Sequence, residues 1–203
     1  MNLNRKTRVT FLAFALTAVT TLAGAEMIPK GWIKAGSAPQ LYEVVPLRNA
    51  DGKSAVTLRS TGGKSVELDG TPPANIFGTL MQTIAATDYA GKRLRLSAIV
   101  SSDHVQGWAG LWMRVDGRQG KTLSFDNMEG HPIKGTLDSK KYSVVLDVLA
   151  NAQSVSYGIL LTGPGVVTWS GVRIETVGKD VPTTSGPMME PLPSRPQNLD
   201  FSE

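Results

Sequence analysis

The chain has 203 residues, with 21 Lys and Arg, 17 Asp and Glu, two His and no Cys. That length holds one or two domains, and a 41% hydrophobic share supplies a packed core and excludes a wholly disordered chain. Zero cysteine excludes disulfides, thiolate metal sites, iron–sulfur clusters, cysteine nucleophiles and an anchor built on a lipidated cysteine.

Residues 1–25 read as an address. Arg5, Lys6 and Arg8 form a basic start, an uncharged run of 14 residues spans 9–22, and Ala23-Gly24-Ala25 supplies small residues for cleavage. That order is the layout of a secretory signal peptide, and the apolar run is short for a membrane span. Cleavage after Ala25 predicts a periplasmic or secreted protein. With no second apolar run, the mature chain is expected to be soluble and free of the membrane. The segment holds three of the 21 basic residues and no acidic ones, which leaves 18 against 17 and a net charge of +1. A near-neutral domain gives no reason to expect a nucleic-acid partner.

From about residue 41 to 177 the hydrophobic pattern has period two, broken by turn residues. The predicted strands are 41–46, 55–60, 77–85, 93–101, 108–116, 122–128, 142–148, 155–162 and 166–177. Asp51-Gly52, Gly62-Gly63, the stretch from Asp69 to Pro73, and Asp116-Gly117 lie between them as turns. Nine short strands without a helical stripe predict an all-β fold, a β-sandwich over 26–178. Leu94, Leu96, Ala98 and Val100 share a face, as do Ala109, Leu111, Met113 and Val115, and Tyr142, Val144, Leu146 and Val148. Each set offers one side of a common core. Residues 179–203 hold five prolines and few apolar side chains, and read as a linker or docking arm. Within them, Asn198-Leu199-Asp200-Phe201 is short enough to add an edge strand.

Most chemical motifs fail on inspection. Gly-Lys-Ser or Gly-Lys-Thr occurs at 52–54, 63–65 and 120–122, but the position that must hold a phosphate-loop glycine is Leu47, Leu58 or Val115. His104 reads as part of a polar loop before Trp108, and His131-Pro132 as a loop; neither has zinc-ligand spacing. Gly-x-Ser-x-Gly is absent, and Asp126, Asp138 and Asp147 show no pairing that a sequence can reveal. No Asp-x-Asp-x-Asp-Gly loop supports calcium, although loose oxygen coordination leaves a structural Ca²⁺ open. No cofactor is expected.

The segment 107–116, Gly-Trp-Ala-Gly-Leu-Trp-Met-Arg-Val-Asp, is the exception. Trp108, Trp112 and Arg114 alternate on one face, with Gly110 placed to leave room for a ligand between the rings. Aromatic faces stack on sugar C–H surfaces, and a guanidinium binds hydroxyls or carboxylates. Gln82, polar in mid-strand, needs a partner. A hairpin at Asp116-Gly117 would carry Asp126 or Asn127 toward the tryptophans, with a one-residue slip exchanging the two. The competing reading packs both rings into the core and pairs Arg114 with Asp116 or Asp126.

Several blocks recur together in a known context. They are Gly31-Trp32, Gly36-Ser37-x-Pro39-x-x-Tyr42, the run from Phe77 to Gln82, Tyr89-x-Gly91-Lys92-Arg93-Leu94-Arg95-Leu96-Ser97, the run from Gly107 to Gly117, Phe125-Asp126-Asn127-Met128 and Pro132-Ile133-x-Gly135-Thr136. They resemble a bacterial domain of poorly defined function that occurs alone or appended to AraC-type and other transcriptional regulators. That domain in turn resembles the galactose-binding-like jelly rolls of carbohydrate-binding modules. The resemblance covers residues 31–177. It implies a jelly-roll fold like that of carbohydrate-binding modules. Taken with the address-like residues 1–25 and the Trp108/Trp112/Arg114 face, the expectation is an exported, non-catalytic binding module for a small or glycan-like ligand. The site residues would be Trp108, Trp112, Arg114, Gln82, Asp126 and Asn127. The alternative is a structural or protein-interaction domain with an envelope protein as partner. A polysaccharide hydrolase ranks below both for want of a catalytic signature.

Overall fold

The computed structural model describes residues 28–48, 52, 54–61 and 76–185. The predicted signal peptide, the turns at Gly62-Gly63 and Asp69 to Pro73, and the Asn198–Phe201 segment lie outside the described residues. Nine strands follow in order: β1 (Ile33–Gly36), β2 (Tyr42–Arg48), β3 (Ser54–Ser60), β4 (Phe77–Ala85), β5 (Arg93–Asp116), β6 (Thr122–Asp126), β7 (Ile133–Asp147), β8 (Ser154–Thr162) and β9 (Val166–Val177). Among the described residues, the remaining regular structure is two 3-10 turns, Pro39–Leu41 and Arg118–Gly120. The chain is all-β.

β5 joins two halves. Its first part, through Asp103, pairs with β7 and β9, and β9 pairs in turn with β3 and β3 with β2. Its second part, from Trp108, pairs with β8, then β4 and β1, while β6 closes its other edge. The buried side chains of both halves form one cluster, as the facing layers of a β-sandwich do. Leu94, Leu96, Ala98 and Val100 enter it from one half, and Ala109, Leu111, Met113 and Val115 from the other. Trp32, ahead of β1, bridges the layers: its ring lies edge-on to Trp169 of β9 at 5.1 Å and to Tyr157 of β8 at 5.9 Å. Gly78 on β4 has no side chain because the Tyr42 ring occupies that space.

Four differences from the sequence reading have physical causes. Strands expected at 93–101 and 108–116 are one element. His104, expected in a loop, lies within β5 with φ +48, where the pairing to β7 shifts register between Ser102 and Val105. Such an irregularity bends a strand without ending it. β7 starts at Ile133 rather than 142. Its residues Lys134–Lys141 are all exposed, so no apolar alternation marks them. β1 is four residues long with one lysine and a terminal glycine, too little pattern to read.

The outer face of the β9 half carries several paired polar side chains, beside exposed Ile99 and Leu47. Thr57 and Thr168 share a hydrogen bond of 2.7 Å, Arg59 pairs with Glu43 at 2.8 Å, and Arg95 with Glu175 at 2.9 Å. Residues 179–184, the start of the proline-rich segment, dock on this half. Arg93 donates to the carbonyls of Lys179 and Val181, and Thr184 exchanges hydrogen bonds with the Val145 backbone.

Candidate functional site

The outer face of the other half is different in kind. Register alone builds it in rows across β4, β8 and β5: Phe77–Thr162–Trp108, then Thr79–Leu160–Gly110, then Met81–Gly158–Trp112, then Thr83–Ser156–Arg114. Phe125 of β6 stands beside Arg114. These side chains bound an open cleft of about 420 Å³, lined by Phe77, Trp108, Trp112, Arg114, Phe125, Asn127, Glu129, Leu160 and Thr162.

The floor and the walls have distinct roles. Trp112 is only 7% exposed, and its Nε1 donates to Thr79 Oγ1 at 2.8 Å. Thr79 Oγ1 donates onward to the Ile159 carbonyl at 2.7 Å. Trp112 is therefore a fixed floor. Trp108 is half-buried, and Phe125, at 46% exposure, is an open wall. Thr162 Oγ1 accepts from Trp108 N–H and donates to Trp108 O, which locks that residue's backbone.

Arg114 donates through Nε to Asp116 Oδ2 at 2.9 Å, and Asp116 accepts from Thr122 Oγ1. The Arg114–Asp116 pairing of the competing reading is thus present, yet the Arg114 side chain stays 46% exposed over the cleft.

After β6 the chain turns sharply. Met128 has φ +64, Asp126 Oδ1 accepts from Met128 N–H at 2.8 Å, and Asn127 Oδ1 accepts from Glu129 N–H at 3.1 Å. This turn crosses over Gly110. A Cβ there would meet the Asn127 carbonyl oxygen at 2.7 Å and Met128 Cβ at 2.9 Å. The space expected to admit a ligand between the two tryptophans is filled by the chain's own turn. Gly110 instead lets that turn deliver Asn127 and Glu129 to the rim.

Of the six residues predicted from sequence, the structure brings together Trp108, Trp112, Arg114 and Asn127. It separates the other two. Asp126 pairs in register with Met113 and so lies on the opposite face, where its Oδ2 is buried with no partner among the described residues. Gln82 also faces the core side: it pairs in register with Tyr157, whose hydroxyl donates to Gln82 Oε1. The partner a mid-strand glutamine requires is that tyrosine, and burial raises the Tyr157 pKa above its ordinary value.

The sequence reading missed Phe77, Phe125, Glu129, Leu160 and Thr162. Phe125 could have been found from the hairpin register. The residues of β4 and β8 depend on strand order, which no local pattern encodes.

Glu129 is the one carboxylate among the lining residues. Both histidines are exposed, and His104 Nδ1 bonds Asp103 Oδ1. Among the described residues no group of three His, Cys, Asp or Glu lies together, and no helix is long and apolar enough to cross a membrane.

No protein-family model matches the chain. Over 176 residues it is 40% identical to an uncharacterized HTH-type transcriptional regulator, YbfP, of Bacillus subtilis (strain 168), covering 86% of this chain. The chain spans 57% of that relative's length. A relative of this kind is compatible with a domain that occurs appended to regulators. Among solved structures, the carbohydrate-binding (CBM22-1) and GH10 modules of Clostridium thermocellum xylanase 10B overlap 78% of this chain and 28% of their own, at 11% identity and TM-score 0.49. The xylan-binding CBM22-1 domain of Paenibacillus barcinonensis Xyn10C overlaps 73% and 87%, at 14% identity and TM-score 0.46.

Proposed function

We propose that this chain is an exported, non-catalytic jelly-roll module that binds a small or carbohydrate-like ligand in the Trp108/Trp112/Arg114 cleft. One observation carries the reading. An open cleft of about 420 Å³ sets Phe125, Trp108 and Phe77 beside Arg114, Asn127 and Glu129 on one outer sheet face. Aromatic surface offers stacking, and Arg114, Asn127 and Glu129 offer orientation. Export to the periplasm or medium rests on the address-like residues 1–25, with cleavage after Ala25. No cofactor or metal is part of this reading.

Titrating tryptophan fluorescence of the mature protein with a panel of glycans and small metabolites tests it. A saturable change is expected, weakened at least tenfold by Phe125→Ala and by Arg114→Ala at a temperature where both variants are folded. A flat response to every ligand would refute the reading.

The burial of Trp112 and its bond to Thr79 favour a second reading, a structural or envelope-protein interaction domain with these rings as core. Acrylamide quenching separates the two. A binding cleft leaves a quenchable component that disappears in Trp108→Phe, whereas a closed core leaves none from that residue.

A further inference from the structure

The hydrogen-bonding groups of the cleft divide into engaged and free, and the division points to a ligand class. Thr162 Oγ1 is engaged with the Trp108 backbone, and Trp112 Nε1 with Thr79. Arg114 Nε is held by Asp116, which leaves its two terminal nitrogens without a partner among the described residues. Asn127 accepts from Glu129 N–H through Oδ1, which leaves its amide NH₂ without a partner among the described residues. What remains around the aromatic walls is a guanidinium end and an amide donor, against a single carboxylate, the exposed Glu129.

Asp116 is buried and bonded to Thr122, so it fixes the direction of Arg114 rather than leaving the side chain to swing. A guanidinium held at Nε offers Nη1 and Nη2 as a parallel pair, the geometry that receives both oxygens of a carboxylate.

We infer that the preferred ligand is an acidic sugar, with the face of a uronate ring against Phe125 or Trp108 and its carboxylate on the Arg114 fork, beside the Asn127 amide. This rests on the reading of the cleft as the binding site. Glu129 would oppose the ligand's charge and moderate affinity, which makes it a tuning residue rather than an anchor.

The test is calorimetric titration of the chain with galacturonate and glucuronate oligosaccharides. Neutral galactose and glucose oligomers of the same length and linkage serve as the comparison, and acetate as a bare carboxylate. The acidic oligomer is expected to bind at least about tenfold tighter than its neutral counterpart, a charge-assisted pair of hydrogen bonds being worth that much. Arg114→Gln should abolish the difference and Arg114→Lys should remove most of it, because a lysine keeps the charge but not the fork. Glu129→Gln, which disturbs no described contact of the fold, should strengthen acidic binding severalfold at low salt.

Equal affinity for acidic and neutral oligomers would overturn the inference and leave the binding module standing. Binding of neither would overturn both. Saturable binding of acetate at the same affinity would show a carboxylate site without sugar recognition, and would also overturn it. If Arg114→Gln fails to fold, an unchanged acid preference in Glu129→Gln decides against the inference.

Discussion

At the scale of single residues, Gly110 decides the shape of the cleft. Its missing side chain lets the turn after β6 lie on β5, and that turn carries two of the polar lining residues, Asn127 and Glu129. Gly110→Ala would push a Cβ into the Asn127 carbonyl and Met128. The expected cost is about 1–3 kcal/mol, the usual range for overpacking a tight contact. Urea denaturation would read it. If the turn moves rather than the sheet, ligand affinity should fall by more than stability alone explains.

Period two placed Trp108, Trp112 and Arg114 on one face correctly, because a strand leaves a side chain no other choice. The same rule could not say which neighbour crosses above Gly110. It also could not choose between Asp126 and Asn127, since that depends on a register the sequence leaves open by one residue.

At the scale of elements, alternation reveals a strand only where one face is wet and the other dry. β8 shows the limit from one side: seven consecutive residues from Val155 to Leu161 are buried, yet its apolar run was readable as a strand. The first half of β7 shows it from the other, being exposed on both faces and silent in sequence.

The second half of β7 carries a clasp. Arg93 donates to both oxygens of Asp147 at 2.9 Å, Lys179 reaches Asp147 Oδ1 at 2.7 Å, and Arg93 also holds the carbonyls of Lys179 and Val181. The Arg93 hydrogen bonds, reinforced by Lys179 and opposed by burial, hold the Asp147 carboxyl well below the usual range, at about 2. A carboxyl whose pKa is lower folded than unfolded stabilises the fold above its unfolded pKa. That contribution is lost as pH falls through the folded value.

Asp147→Asn should therefore be less stable than the parent at pH 7, by roughly 1–2 kcal/mol after allowance for partial solvent screening. The gap should close between about pH 4 and pH 2. A gap that persists unchanged at pH 2 would mean that shape, not charge, holds the segment. Residues 179–184 pack here, and 186–203 lie outside the described residues. The prolines gave only an extended chain, and the partner Arg93 lies far away in sequence.

At the scale of the whole molecule, the two outer faces differ: one pairs Arg59 with Glu43 and Arg95 with Glu175, and the other gathers aromatic side chains around a cleft. Between the layers, Trp32 fills the seam by touching both Trp169 and Tyr157. Gly31-Trp32 entered the sequence reading only as a shared block, since a single aromatic ahead of the first strand carries no periodicity.

Its position also sets a test of where the domain begins. If export removes residues 1–25, the mature chain starts at Glu26 and keeps the wedge, so N-terminal sequencing of the periplasmic or secreted fraction should read from Glu26. A chain starting there should unfold at the same temperature as the longer one. Trp32→Ala in that chain should cost about 3 kcal/mol, the lower end for emptying a large aromatic site because the ring is half-buried. For a domain of this size that is a fall on the order of 10 °C in Tm. The cavity lies on the core side of the sheet and Arg114 on its outer face, so Trp32→Ala should lose stability while its folded fraction binds with unchanged affinity. A variant that lost affinity and stability together would instead show that the seam between the sheets sets the geometry of the cleft.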